Sequence, residues 1–116
     1  MNLRIGIDIG STTVKVVVLD EQNNRLFRSY ERHFSKVREK TCEILERIKD
    51  KLLGHQVRMV ITGSAGLGVS KASSIDFVQE VYATAAAVDT FIPGTDAVIE
   101  LGGEDAKIIF FGGALE

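Results

Sequence analysis

Hydrophobic and polar positions divide this chain into short, sharply bounded elements. They predict strands over 3–9, 13–19 and 25–33, a helix over 36–53, a strand over 57–62, a helix over 76–90, and strands over 96–101 and 105–111. Leu3 to Ile9 is an apolar strand. Arg25 to Phe34 alternate only roughly, at Leu26, Phe27, Tyr30 and Phe34, which predicts an outer strand wet on one face. Val37, Ile44, Leu45, Ile48 and Leu52 recur at helical spacing, with Ser35 as the expected N-cap and Gly54 as the stop. Val57 to Ile61 are almost continuously apolar, as a central strand buried on both faces should be. Asp76 is the expected cap of the next helix, with Phe77, Val78, Val81, Tyr82 and Ala85 along one face. Asp20 to Asn24 and Pro93-Gly94 read as turns. Three consecutive strands followed by alternating helices and strands imply an α/β fold. Its mixed sheet would hold a three-strand meander, with helices packed on it.

Two stretches break this pattern in the same way. In Ile5 to Lys15 an apolar strand carries an acid, Asp8, and then Gly10, the hydroxyl residues Ser11, Thr12 and Thr13, and Lys15. In Val98 to Lys107 an apolar strand ends in Glu100, glycines follow at 102 and 103, and a second apolar run begins at Ile108. An unpaired carboxylate is expensive to bury, so an acid in such a strand is expected to face a metal or a site. Glycine allows a tight turn and close approach by a ligand. Hydroxyls, amide N–H groups and a lysine suit a polyphosphate with its magnesium. Ordinary hairpin turns explain each stretch alone. The pair suggests two loops gripping one ligand from opposite sides, with Asp8 and Glu100 pointing into one cleft.

These motifs resemble those of the actin-like ATPase superfamily, and within it the CoA-substrate-specific enzyme activases, the ATP-driven activators of 2-hydroxyacyl-CoA dehydratases and benzoyl-CoA reductases. Asp8-Ile-Gly-Ser-Thr-Thr-Val-Lys15 is similar to the superfamily's first phosphate motif. Glu100-Leu-Gly-Gly-Glu-Asp-Ala-Lys107 resembles the activases' second motif, which usually reads Asp-Ile-Gly-Gly-Gln-Asp. Ile61-Thr-Gly-Ser-Ala-Gly66 and the helix around Glu80 also sit where that family has a Thr-Gly segment and a glutamate-bearing helix. The chain departs from it in having Glu100 for the usual Asp and Thr84 where shorter activases often have His.

The resemblance implies a ribonuclease-H-like half-domain over 1–116, the N-terminal subdomain of an actin-like ATPase, with the second subdomain and the cluster-binding region outside it. It implies ATP and Mg²⁺ as cofactors. Asp8 and Glu100 would hold the metal mostly through its waters. Gly10, Ser11, Thr12, Thr13, Lys15, Gly102 and Gly103 would hold the phosphates, with Glu104 contributing its amide. Glu104 or Asp105 would orient the attacking water, since phosphoryl transfer needs positioning and charge neutralisation more than covalent chemistry. It further implies a homodimer in the full-length protein, acting on an acyl-CoA dehydratase or reductase component, and a 4Fe–4S iron–sulfur cluster held by cysteines that follow the second motif. Without the second subdomain, this chain is expected to bind ATP weakly and to hydrolyse it negligibly. Two other classes share these residues: a sugar or carboxylate kinase of the same superfamily, and a non-catalytic actin-like nucleotide switch.

Composition narrows the partners. With 45% hydrophobic and 26% charged residues the chain is globular. A net charge of −2 gives no electrostatic case for nucleic acid or an anionic membrane. No apolar run is long enough for a membrane span and the N-terminus lacks a signal-peptide layout, so the chain reads as cytoplasmic. The one cysteine, Cys42, excludes an internal disulfide. It reads as a half-buried filler at the border of the helical stripe, and alone it cannot hold a cluster that takes four cysteine ligands. His33 and His55 lack partner ligands and read as surface residues. Glu80 is open between a surface position and a face toward a partner subunit. Gly63 to Gly68 lack the ending of a P-loop; they read as a loop lining the mouth of the site or as a plain connection. Leu115-Glu116 reads as a cloning remnant.

Overall fold

The structure is a computed structural model that describes residues 1–102 and 106–111. The expectations placed on Gly103, Glu104, Asp105 and on 112–116 lie outside the described residues. The chain forms two compact units, Met1–Val78 and Gln79–Glu116.

The first unit is a five-stranded mixed sheet. Strands β1 (Asn2–Ile9), β2 (Thr13–Leu19) and β3 (Arg25–Arg32) form an antiparallel meander, and β4 (Gln56–Thr62) and β5 (Asp76–Phe77) continue it in parallel, in the order β3-β2-β1-β4-β5. Helix α1 (Val37–Leu52) joins β3 to β4, and α2 (Gly66–Ser73) joins β4 to β5. The alternation of β1 and β2 decides which face is packed. Leu3, Ile5, Ile7 and Ile9, with Val14, Val16 and Val18, are buried against Ile44 and Ile48 of α1 and Ile61 of β4. Each such side chain contributes about 1.5–3 kcal/mol on burial. The exposed ion pairs of α1 are screened by solvent and add little, so the apolar row sets the fold. Gly66 shows that α2 packs on the same face, because a Cβ there would lie 2.8 Å from Ile61 Cγ2 and 3.3 Å from Phe77.

The second unit holds α3 (Glu80–Phe91) and an antiparallel hairpin of β6 (Ala97–Leu101) and β7 (Ala106–Phe110). Gly94, at φ +84°, makes the turn that Pro93-Gly94 predicts.

Several sequence expectations are corrected. Residues 63–68 are not merely a loop, because Gly66 opens α2. Asp76 caps no helix: Asp76 and Phe77 pair with Val60 and Ile61, and α3 starts at Glu80 behind Gln79. Phe77 therefore joins the sheet core, while Val81 and Tyr82 are exposed. Ser35 is not the N-cap of α1; it has φ +63° and Lys36 occupies that position. Within the first unit β4 is not buried on both faces, since both helices pack on one side of the sheet. On the other side Arg58 is exposed and Val60 and Thr62 are only half-buried, and on the packed side only Ile61 is fully buried. Cys42 is exposed, because the helical turn gives the inner position beside it to Thr41.

Candidate functional site

The site is built from the β1–β2 turn. Register pairs Asp8 with Lys15 on β2 and with Thr62 on β4. Asp8 has the opposite parity to the core row of β1, so it stands on the sheet face away from α1 and α2. Lys15 Nζ lies 3.4 Å from Asp8 Oδ2, with both side chains about one-third exposed. The same ammonium sits 5.2 Å from the Tyr30 ring centroid. Among the described residues the other carboxylate oxygen, Asp8 Oδ1, is buried with no hydrogen-bond partner, and so is Thr62 Oγ1. Leaving a buried polar atom unpaired costs about 1–3 kcal/mol. Asp8 is therefore a liability to the fold, as groups held for a ligand often are.

Gly63 closes the floor of this site. Its φ is +102°, and a Cβ there would lie 2.3 Å from the Ile9 carbonyl oxygen and 2.6 Å from Asp8 Oδ1. Only glycine fits. The Ala65 N–H donates to the same Ile9 carbonyl at 2.9 Å, fixing the start of α2 beneath the turn. Gly10 is less demanding than its place in the motif suggests. Its φ is not positive, and a Cβ would meet only ordinary contacts at 3.8 and 3.9 Å. Its N–H donates to Thr13 O at 2.9 Å, which closes the turn.

His33 belongs to this site, against the expectation of a surface residue. It is 5% exposed. Its Nδ1 accepts from the Ser35 N–H at 3.0 Å, which places the ring proton on Nε2, and Nε2 donates to Gly10 O at 3.0 Å. Its main-chain N–H donates to Thr12 O at 3.0 Å. The next two residues, Phe34 and Ser35, have φ of +50° and +63°. Left-handed backbone costs a non-glycine residue about 1–2 kcal/mol, so this corner holds strain of the kind that gathers at functional sites. The sequence did carry a signal for it. If strands 13–19 and 25–33 form a hairpin, residue 33 must lie beside residue 12.

The second acid site is organised within its own unit. Register pairs Glu100 with Lys107. Lys107 Nζ lies 2.9 Å from Glu80 Oε2 and 3.6 Å from Glu100 Oε1. Thr84 Oγ1 donates to Glu100 Oε2 at 3.3 Å. Glu80 thus holds an ion pair inside this unit, and Gly102 follows β6 directly.

The donor set at Asp8 fits a hydrated magnesium ion. A carboxylate oxygen and a neighbouring hydroxyl oxygen, both unpaired among the described residues, are the oxygen donors that an ion keeping most of its waters takes. Among the described residues no three His, Cys, Asp or Glu side chains converge, so they offer no set for a fully chelated metal. None of the described helices is long and apolar enough to cross a membrane.

Sheet order, helix placement and the acid at the first hairpin define an α/β fold of the actin-like, ribonuclease-H-like ATPases. Comparison with known proteins makes the assignment specific. The model of the BadF/BadG/BcrA/BcrD ATPase family matches residues 5–114, and the chain belongs to that family. An uncharacterised protein of Methanocaldococcus jannaschii is 28% identical over 106 residues, covering 90% of this chain and 42% of that protein. Component A of the (R)-2-hydroxyglutaryl-CoA dehydratase of Acidaminococcus fermentans superposes with a TM-score of 0.77 at 22% identity, over 97% of this chain and 44% of that one. The activator of the 2-hydroxyisocaproyl-CoA dehydratase of Clostridium difficile, solved with bound ADPNP, gives a TM-score of 0.77 at 26% identity, over 95% of this chain and 41% of that one. The chain spans less than half the length of each of these relatives.

Proposed function

We propose that this chain is the phosphate-binding part of an ATPase that activates a 2-hydroxyacyl-CoA dehydratase, or a related acyl-CoA enzyme, by ATP-driven electron transfer. The observation that carries the reading is Asp8: one oxygen paired with Lys15, the other buried and unpartnered among the described residues, at the mouth of a glycine and hydroxyl turn. Family membership and the ADPNP bound to the similar C. difficile activator support a nucleotide as the ligand.

In this reading Asp8 and Glu100 hold Mg²⁺ through its waters. Amides of Ser11, Thr12 and Thr13, with those of Gly102, Gly103 and Glu104, bind the phosphates; the Gly10 N–H is taken by Thr13 O and serves the turn itself. Lys15 adds positive charge. Bound magnesium supplies charge neutralisation on the phosphate oxygens. Glu104 or Asp105 orients the water. Thr84 and Lys107 hold the Glu100 carboxylate in place through a hydrogen bond and an ion pair. The longer protein would carry the second subdomain and the cluster cysteines, would dimerise, and would pass an electron to its dehydratase or reductase partner.

Titration of the chain with Mg–ADPNP, followed by amide NMR, tests the reading. Shifts should appear at Ser11, Thr12, Thr13 and Gly102 and should vanish in Asp8→Ala. Shifts confined to other regions would refute it.

A further inference from the structure

We propose that His33 is a positioning residue for the phosphate turn, setting the direction of its peptide dipoles through the Gly10 carbonyl. The proposal rests on the nucleotide reading above and names a residue that the motifs do not contain.

A phosphate cradle needs N–H groups facing the ligand and carbonyl oxygens facing away, since a carbonyl turned inward repels an anion. In a planar trans peptide the carbonyl of one residue and the N–H of the next point in opposite directions. His33 holds two carbonyls of the turn. Its Nε2–H takes Gly10 O at 3.0 Å and its main-chain N–H takes Thr12 O at 3.0 Å. Tying back Gly10 O turns the Ser11 N–H outward, while tying back Thr12 O leaves the Thr13 N–H on the β1 side of the turn, beside its own carbonyl that accepts from Gly10. Among the described residues nothing accepts from the Ser11 amide. The main-chain bond is the end of the β2–β3 ladder and any residue could make it. The side-chain bond is particular to His33.

The ring is itself held from behind. Nδ1 is occupied by the Ser35 N–H, and the Lys36 N–H donates to His33 O at 2.8 Å. Two successive left-handed residues, Phe34 and Ser35, form the corner from which that N–H reaches the ring. The strained corner makes sense as the mount of the ring, holding Nε2 on the turn between β1 and β2.

The test separates the two ends of the ring. Glutamine at 33 presents an N–H near the Nε2 position and can still donate to Gly10 O. Asparagine presents an oxygen near the Nδ1 position and can accept only from Ser35. In Mg–ADPNP titrations of the full chain, read at the Ser11 and Thr13 amides, His33→Gln should bind within about twofold of wild type. His33→Asn should bind about tenfold more weakly, the loss expected for one orienting hydrogen bond. Melting temperatures are measured alongside. If His33 only supports the corner, the order reverses or both variants weaken in step with lost stability, and the proposal falls. The wild-type ring gives a reading that needs no variant: its Nε2–H resonance should shift on saturation with Mg–ADPNP, and an unchanged resonance overturns the proposal. Failure of the nucleotide reading looks different, because the wild-type chain would then show no shift at the turn at all.

Discussion

Asp8 and Lys15 face each other across the β1–β2 pair, with Oδ2 3.4 Å from Nζ, and the second oxygen of the same carboxylate is buried without a partner among the described residues. An oxygen stranded beside a satisfied one is poor design for stability. It is sensible for a site that waits for a cation.

Replacing Asp8 should therefore separate stability from binding. Asp8→Asn removes a charge whose buried oxygen gains nothing from the fold, and Lys15, about one-third exposed, loses only a screened pair. We expect the urea midpoint to stay level or rise, while Mg–ADPNP affinity falls at least about tenfold. A variant that loses stability and keeps its affinity would show Asp8 to be structural.

The glycines near the site should respond in opposite senses. Gly63→Ala forces a Cβ to within 2.6 Å of Asp8 Oδ1 and 2.3 Å of the Ile9 carbonyl, at φ +102°. Backbone must move, so a loss of about 3 kcal/mol or more is expected. Gly68→Ala, inside α2 with nothing within 4 Å, should instead stabilise the chain by about 0.5–1 kcal/mol through helix propensity. Chemical unfolding of both variants checks the contrast. Equal effects would mean that the close approach of Gly63 to β1 is wrong.

These sites show what the sequence carried and what it did not. Strand β2 falls on Thr13–Leu19 as predicted, because a glycine and hydroxyl turn on one side and Asp20–Asn24 on the other leave no choice of boundary. Helix α2 was hidden because glycines at 66 and 68 and serines at 70 and 73 are weak helix formers. Packing of Gly66 on Ile61 and Phe77 overrides their propensity. Asp76 looked like a cap because capping is judged locally, whereas its role comes from parallel pairing with Val60. His33 departs from expectation for the same reason. Its partners lie 21 and 23 residues back, and only a strand register brings them together.

Glu31 supplies a pH signature. The Arg47 guanidinium, bonded at 2.5 and 2.7 Å, together with Ser29 and Lys40, holds its carboxyl down to about 2 from an ordinary 4.5. A depressed carboxyl stabilises the fold above its unfolded value, near 4.5, and loses that contribution as pH falls through about 2. Because the partners are largely solvated, the contribution should be about 1 kcal/mol. Urea midpoints of wild type and Glu31→Gln should differ at pH 7 and converge between pH 4.5 and 2. A difference independent of pH would contradict this account of β3 and α1.

The last prediction concerns how much this chain does alone. It spans 41% of the activator solved with ADPNP. By resemblance, adenine and ribose are held largely by the second subdomain of that fold. What the chain brings is charge at an open turn: Asp8 and Lys15 are each about one-third exposed. Charges 4 Å apart in water interact by about 1 kcal/mol, and a few such contacts give millimolar binding, near 4 kcal/mol. Catalysis loses more than binding, because transition-state stabilisation needs a preorganised site from which water is excluded. We therefore expect calorimetry of the chain with Mg–ATP to give a dissociation constant of about 1 mM and hydrolysis near background. A micromolar constant abolished by Asp8→Ala would show instead that this turn and its neighbours suffice as the nucleotide site.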